Sequence, residues 1–129
     1  MSLNRKVGFF QGLKYRGKGP MWAWMLHRIT GLCIILFVGF HVFASFFMQQ
    51  FGSDAATSIN IVYESWVFQI LVIFIVIFHA LNGFRIAVQD IWPPLQMYQR
   101  ESLWLQWLVF IPIYGLTIFI LIQNGIIGV

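Results

Sequence analysis

Three stretches of this chain carry no Asp, Glu, Lys or Arg: residues 29–53, 65–84 and 102–129. Each is long enough to cross a bilayer, because about 20 mostly apolar residues span a hydrocarbon core of roughly 30 Å. Backbone polar groups in lipid have no water to bond, so each stretch must satisfy its own, as a helix does. A transmembrane barrel would alternate polar and apolar positions. The run Leu71-Val72-Ile73-Phe74-Ile75-Val76-Ile77-Phe78 does not alternate. The expectation is an all-α membrane protein with three transmembrane helices, at about 21–48, 65–90 and 102–125.

The boundaries follow from prolines. Pro20 suits a first helical turn, so the first helix starts before its charge-free window and takes in His27 and Arg28. Pro93-Pro94 ends the second helix, and Pro112 falls inside the third, where it can introduce a kink. The composition agrees: 60% of residues are apolar or aromatic and 9% are charged, against about 25% charged in a soluble domain. A soluble globule and a disordered chain are excluded, as is a disulfide scaffold, since Cys33 is the one cysteine. The length fits a single domain, residues 1–129. Arg5, Lys6, Lys14, Arg16, Lys18 and Arg28 precede or open the first span. Arg85 and Arg100 flank the 91–101 connection, and the 49–64 connection holds Asp54 and Glu64 without a cation. The positive-inside rule places the N-terminus and the 91–101 connection in the cytoplasm and the C-terminus outside. This is the topology of a multi-pass protein of a bacterial-type inner membrane. The first apolar run is too long for a cleavable signal peptide. Trp22, Trp24, Trp66, Trp92, Trp104 and Trp107 lie near span ends and read as an interfacial belt. Lys14-Tyr15-Arg16-Gly17-Lys18 reads as a contact with lipid headgroups or soluble partners, not nucleic acid.

Ionisable residues inside a span are costly and mark function by default. The candidates are His27, Arg28, His41, His79, Arg85 and Asp90. Arg28, Arg85 and Asp90 lie toward the cytoplasmic face, and the bland reading of Arg85 is snorkelling to the headgroups. His27-Arg28 followed by Thr30 and Gly31 reads as a polar pocket for an anionic group, a haem propionate or a quinone carbonyl, where Arg offers a permanent donor fork. With Arg28 and Arg85 taken as level, His79 lies about 9 Å deeper than Arg85 and His41 about 20 Å deeper than Arg28 at 1.5 Å per residue. The histidines then occupy two depths. Each is either hydrogen-bonded to a neighbouring helix or an axial ligand of haem iron. His79 shares a face with Asn82, Gly83 and Ile86, and Gly83 leaves room for a flat macrocycle. Arg85 or Arg28 can pair with its propionates. One histidine per depth cannot complete a six-coordinate haem, so a second ligand must come from a partner chain in the membrane.

The strings Trp22-Ala23-Trp24-Met25-Leu26-His27-Arg28-Ile29-Thr30-Gly31 and His79-Ala80-Leu81-Asn82-Gly83-Phe84-Arg85, with Asp90 following, resemble the cytochrome b membrane-anchor subunit (the C subunit) of succinate dehydrogenase, respiratory complex II. The resemblance covers nearly the whole chain. It implies a bundle completed by a second membrane-anchor (D) subunit, with iron–sulfur and flavoprotein subunits docked on the cytoplasmic face. It implies electron transfer from succinate to quinone (ubiquinone or menaquinone), the chain being one subunit of an oxidoreductase and not catalytic alone. Position by position, His79 matches the axial haem b ligand. Arg28 matches the arginine shared by the quinone pocket and the haem propionates, His27 its neighbour there, and Asp90 an acid near the quinone pocket. Trp24 stands where many members have a quinone-contacting serine. His41 resembles the span-one histidine of di-haem relatives, which implies a second haem; otherwise it packs against span three or borders an outer quinone site. The competing readings are a haemless anchor of the fumarate reductase type and a structural subunit of an unrelated membrane complex.

Overall fold

The computed structural model describes residues 8, 10, 11, 14 and 18–128. Arg5, Lys6 and Arg16, which weighed in the topology argument, lie outside them. Among the described residues from Lys18 on, the elements follow in order: α1 (Lys18–Phe51), α2 (Asp54–Glu64), α3 (Trp66–Ile91), the 3-10 segment Pro93–Tyr98, and α4 (Gln99–Ile127). No strand occurs among the described residues. The three long helices are long and apolar enough to cross a membrane. The protein is an integral, multi-pass, all-α membrane protein.

The ends of the helices have local causes. The α1 helix starts at Lys18 because Pro20 needs no backbone partner in a first turn. It closes on Gly52, whose φ of 59° lies in the left-handed region and whose N–H bonds the Met48 carbonyl at 3.1 Å. The 49–64 connection is helical. Ser53 caps α2 by accepting the Ala56 N–H, and Asp54 sits in the first turn, where a negative charge opposes the helix dipole favourably. Pro93 then ends α3 as expected, and α4 starts at Gln99 with Arg100 and Glu101 in its first turn. Charges at a membrane interface do not break a helix, so the charge-free window understates its length.

The α3 helix is central, with α1 against one side and α4 against the other. Between α3 and α4 the core is aromatic. Phe78 (0% exposed) and Phe110 (4%) pack with Phe74, Trp107 and Tyr114. Tyr114 donates its hydroxyl to the Ile70 carbonyl at 3.0 Å. Trp107 thus belongs to this cluster, 5.2 Å from Phe110 by ring centroids, and not to the interfacial belt. Trp66 also turns inward: a Cβ on Gly125 would stand 2.5 Å from its Cδ1. Trp22, Trp24, Trp92 and Trp104 remain exposed.

Candidate functional site

The site lies where α1 crosses α3. His27 and His79 stack in parallel, centroids 4.0 Å apart and planes within 7°. Each ring sits over a glycine of the opposite helix. A Cβ on Gly31 would stand 3.1 Å from His79 Cε1, and one on Gly83 would stand 3.4 Å from His27 Cε1. The position at Gly83 thus faces the edge of the His27 ring. Pairing 27 with 83 and 31 with 79 also fixes the register. It brings Arg28 level with Asn82, about one turn deeper than Arg85, so the two arginines are not level as the sequence reading assumed. His79 comes level with Gly31, ten residues from His41, or about 15 Å along the axis. The two-depth arrangement therefore stands in the fold.

The surroundings of His79 select its tautomer. Thr30 donates its hydroxyl to the His27 carbonyl at 2.9 Å. His79 Nδ1 lies 3.1 Å from that carbonyl and 3.2 Å from Thr30 Oγ1. A carbonyl oxygen only accepts, and the one hydroxyl proton of Thr30 already points at it. Both contacts are satisfied together only when Nδ1 carries the proton and donates. This assignment, made from the network, leaves the Nε2 lone pair free. His79 Nε2 is not among the sealed, unpartnered polar atoms, whereas His27 Nδ1 and Asn82 Nδ2 are.

Arg28 projects outward, its guanidinium 4.4 Å from the Trp24 ring centroid. The cation rests on the π face and keeps its donor edge for another group. Asp90 is exposed in the last turn of α3. Eleven residues from His79, it lies on the same helix face, toward the 91–101 connection.

Arg85 faces the other way. Its Nε donates to Gln106 Oε1 at 2.9 Å, Nη1 to Gln99 Oε1 at 2.9 Å and Nη2 to Asn82 Oδ1 at 3.0 Å. Gln89 joins the same network by donating to Ser102 Oγ at 2.9 Å and accepting from Gln99 Nε2 at 3.1 Å. Arg85 is thus tied to Gln99 and Gln106 of α4 and does not snorkel freely. The sequence reading missed this network. Its signal was two matching i, i+3, i+7 series: Asn82, Arg85, Gln89 on one helix and Gln99, Ser102, Gln106 on the next.

His41 occupies a separate place near the α2 end. Its ring stacks on Tyr63 at 4.8 Å, its Nδ1 is buried without a partner, and Gln69 lines the same cavity of about 190 Å³. It packs against α2 and α3; span three does not touch this cavity. Among the described residues, no three His, Cys, Asp or Glu side chains converge as a metal-ion site.

Compared with known proteins, residues 4–122 match the model of the family described as succinate dehydrogenase/fumarate reductase transmembrane subunit. The chain belongs to that family. It is 33% identical over 100 residues to the succinate dehydrogenase 2 membrane subunit SdhC of Mycobacterium tuberculosis, covering 75% of this chain and 73% of the relative. No solved structure matches it. The crossing of α1 and α3 in this transmembrane subunit holds both strings that carried the resemblance, so residues far apart in sequence form one cluster. His27, Thr30 and His79 come together there, with Arg28 next to His27 in the chain but turned outward. Trp24 joins through Arg28, Asp90 lies along the same face, and Arg85 and His41 stand apart.

Proposed function

We propose that this subunit is the haem b- and quinone-binding anchor of a succinate:quinone oxidoreductase. It would sit in a bacterial-type inner membrane with a second anchor subunit, an iron–sulfur subunit and a flavoprotein. The observation that carries the reading is the state of His79. A ligating histidine needs its distal N–H held by an oxygen acceptor, which fixes the ring and raises its basicity. His79 has that support in the His27 carbonyl and Thr30, with Nε2 left open. The residues present therefore fit an axial haem ligand. His41 lacks such an anchor at Nδ1, so the proposal is one haem per subunit, which His79 would hold together with a residue of the partner anchor.

Haem b held at His79 supplies one-electron exchange between the iron–sulfur subunit and quinone. The rest falls to side chains of this chain. His27 buries one face of the His79 ring and brings an unpartnered Nδ1 close to the site. Arg28, resting on Trp24, presents its donor fork to a quinone carbonyl or a propionate. Quinone reduction takes up two protons as well as two electrons, so its pocket needs titratable groups close to water. Arg28, His27 and Asp90 lie on the half of α1–α3 that ends at the 91–101 connection, which meets that need.

The test is a dithionite-reduced minus oxidised spectrum of the complex purified through this chain, with haem counted per protomer by pyridine haemochrome. One haem is the expected count. Two would bring His41 into ligation, and none would leave a haemless anchor of the fumarate reductase type. A finer test addresses the anchor of His79. Thr30→Val keeps the buried shape and removes the hydroxyl. Haem affinity should fall about tenfold, the lower end for lost ligand-orienting partners, and the midpoint potential should rise as the imidazole becomes less basic. Unchanged affinity and potential would show that Thr30 does not set the ligand.

A further inference from the structure

Arg85 carries a permanent positive charge within a membrane-spanning helix. Its hydrogen bonds go to the side-chain amide oxygens of Gln106, Gln99 and Asn82. These groups are neutral, so they orient the cation without cancelling it. Each of the two helices involved has a single acid, Asp90 on α3 and Glu101 on α4. Both are exposed near the 91–101 connection, and neither is ion-paired with Arg85 among the described residues. Leu81, Phe84, Leu105 and Val109 wall the groove beside Arg85, so apolar side chains flank the charge there. A charge in such surroundings is weakly screened and acts over a longer range than one in water.

That range takes in the histidine pair. Arg85 is six residues from His79, about 9 Å along the helix axis. Its Nη2 bonds Asn82, which is fully buried and stands one turn from His79. Arg85 and His27 are within electrostatic reach of each other, and His27 stacks on His79. Arg28 is exposed, so salt and headgroups screen its charge. A clamp between α3 and α4 does not need an ion. Gln89 and Ser102 already join the two helices through neutral groups, and an ionised side chain in a span costs more than an amide.

We propose that Arg85 is the fixed cation that raises the reduction potential of the group held at His79. That role rests on His79 being the axial haem ligand. Reduction there adds one electron and no atom, so the net charge falls by one, and an uncancelled cation nearby favours the reduced state. At roughly 10 Å and an effective dielectric of about 20, one unit charge shifts the ratio of reduced to oxidised by somewhat more than tenfold. The hydrogen bonds of Arg85 point to α4, but its field is not confined to that side.

Potentiometric titration of the whole complex tests this with three variants. Arg85→Gln removes the charge. Gln106→Glu keeps the shape of the network and puts a carboxylate where Arg85 Nε already donates, which cancels the charge in place. Gln106→Leu removes that bond and leaves the charge. At a fixed ambient potential, the first two should lower the ratio of reduced to oxidised about tenfold, or about 59 mV in the midpoint of a one-electron couple. The third should leave the midpoint where it is. Haem per protomer, counted by pyridine haemochrome, should keep its native value in all three. A purely structural clamp predicts the reverse order, with Gln106→Leu perturbed and Gln106→Glu silent, and that order would overturn the proposal. So would an unmoved midpoint in Gln106→Glu, even where Arg85→Gln does not assemble. A native complex without haem would remove the reading of His79 as a ligand, and this role of Arg85 with it.

Discussion

His79→Ala removes the haem b signal from the assembled complex. The side chain is the one imidazole at the α1–α3 crossing whose distal N–H is held and whose Nε2 is open. Losing a ligand-orienting partner costs about 10–100-fold in metal affinity, and losing the ligand itself exceeds that. Truncation also leaves a hollow beside Gly31, so His79→Phe is the companion variant: its ring fills the gap and stacks on His27 but has no nitrogen to offer. Both variants should assemble and both should lack the reduced-minus-oxidised signal. A full spectrum in either one would remove His79 from the role of ligand. Loss of the whole complex in both would show that the residue is structural.

Arg28→Ala should lower quinone reduction about 100-fold, the scale for removing one aligned donor to developing negative charge. Succinate oxidation by an artificial acceptor should change little, because such acceptors take electrons upstream of the membrane. The geometry supports the separation. Arg28 is exposed and is carried on Trp24 of its own helix, so truncation should leave the stacked His27–His79 crossing in place. Arg28→Lys keeps the charge and loses the planar fork, and its rate should fall between the two. Equal loss of both activities would point to an assembly defect and would overturn the assignment.

The long helices were legible because lipid enforces one rule over many residues: no charge, and a backbone that satisfies itself. The α2 helix was not read, although its signals are local. Ser53 caps it, and Ala56, Ile59, Asn60 and Tyr63 follow at helical spacing on the face turned to α1, but eleven residues are too few to cross a bilayer and carry no charge-free window. For the site, cost alone singles out the candidates, since a histidine or arginine in a span is rare. Their arrangement was not legible. Sequence gives depth along each helix but not the rotation of one against another. That is why Arg28 and Arg85 seemed level, and why Arg85 was assigned to the haem side when Asn82, Arg85 and Gln89 form a stripe facing α4. The pairing of each histidine with a glycine on the opposite helix is a property of two surfaces together, and neither strand of text contains it alone.

That pairing ties four positions into two couples. An evolving chain that kept His79 could not enlarge residue 31 without shifting the ring, whereas beside His27 a single added carbon at residue 83 would stand at 3.4 Å, an ordinary contact. A lineage that gave up His79 would be released from glycine at 31, and the first bulky residue to settle there would close the way back. Retention of Gly31 beside a lost His79 would mark a recent loss, and a filled position 31 an old one. The order of such changes across a family tree would record how a transmembrane subunit of this kind gives up its stacked histidines.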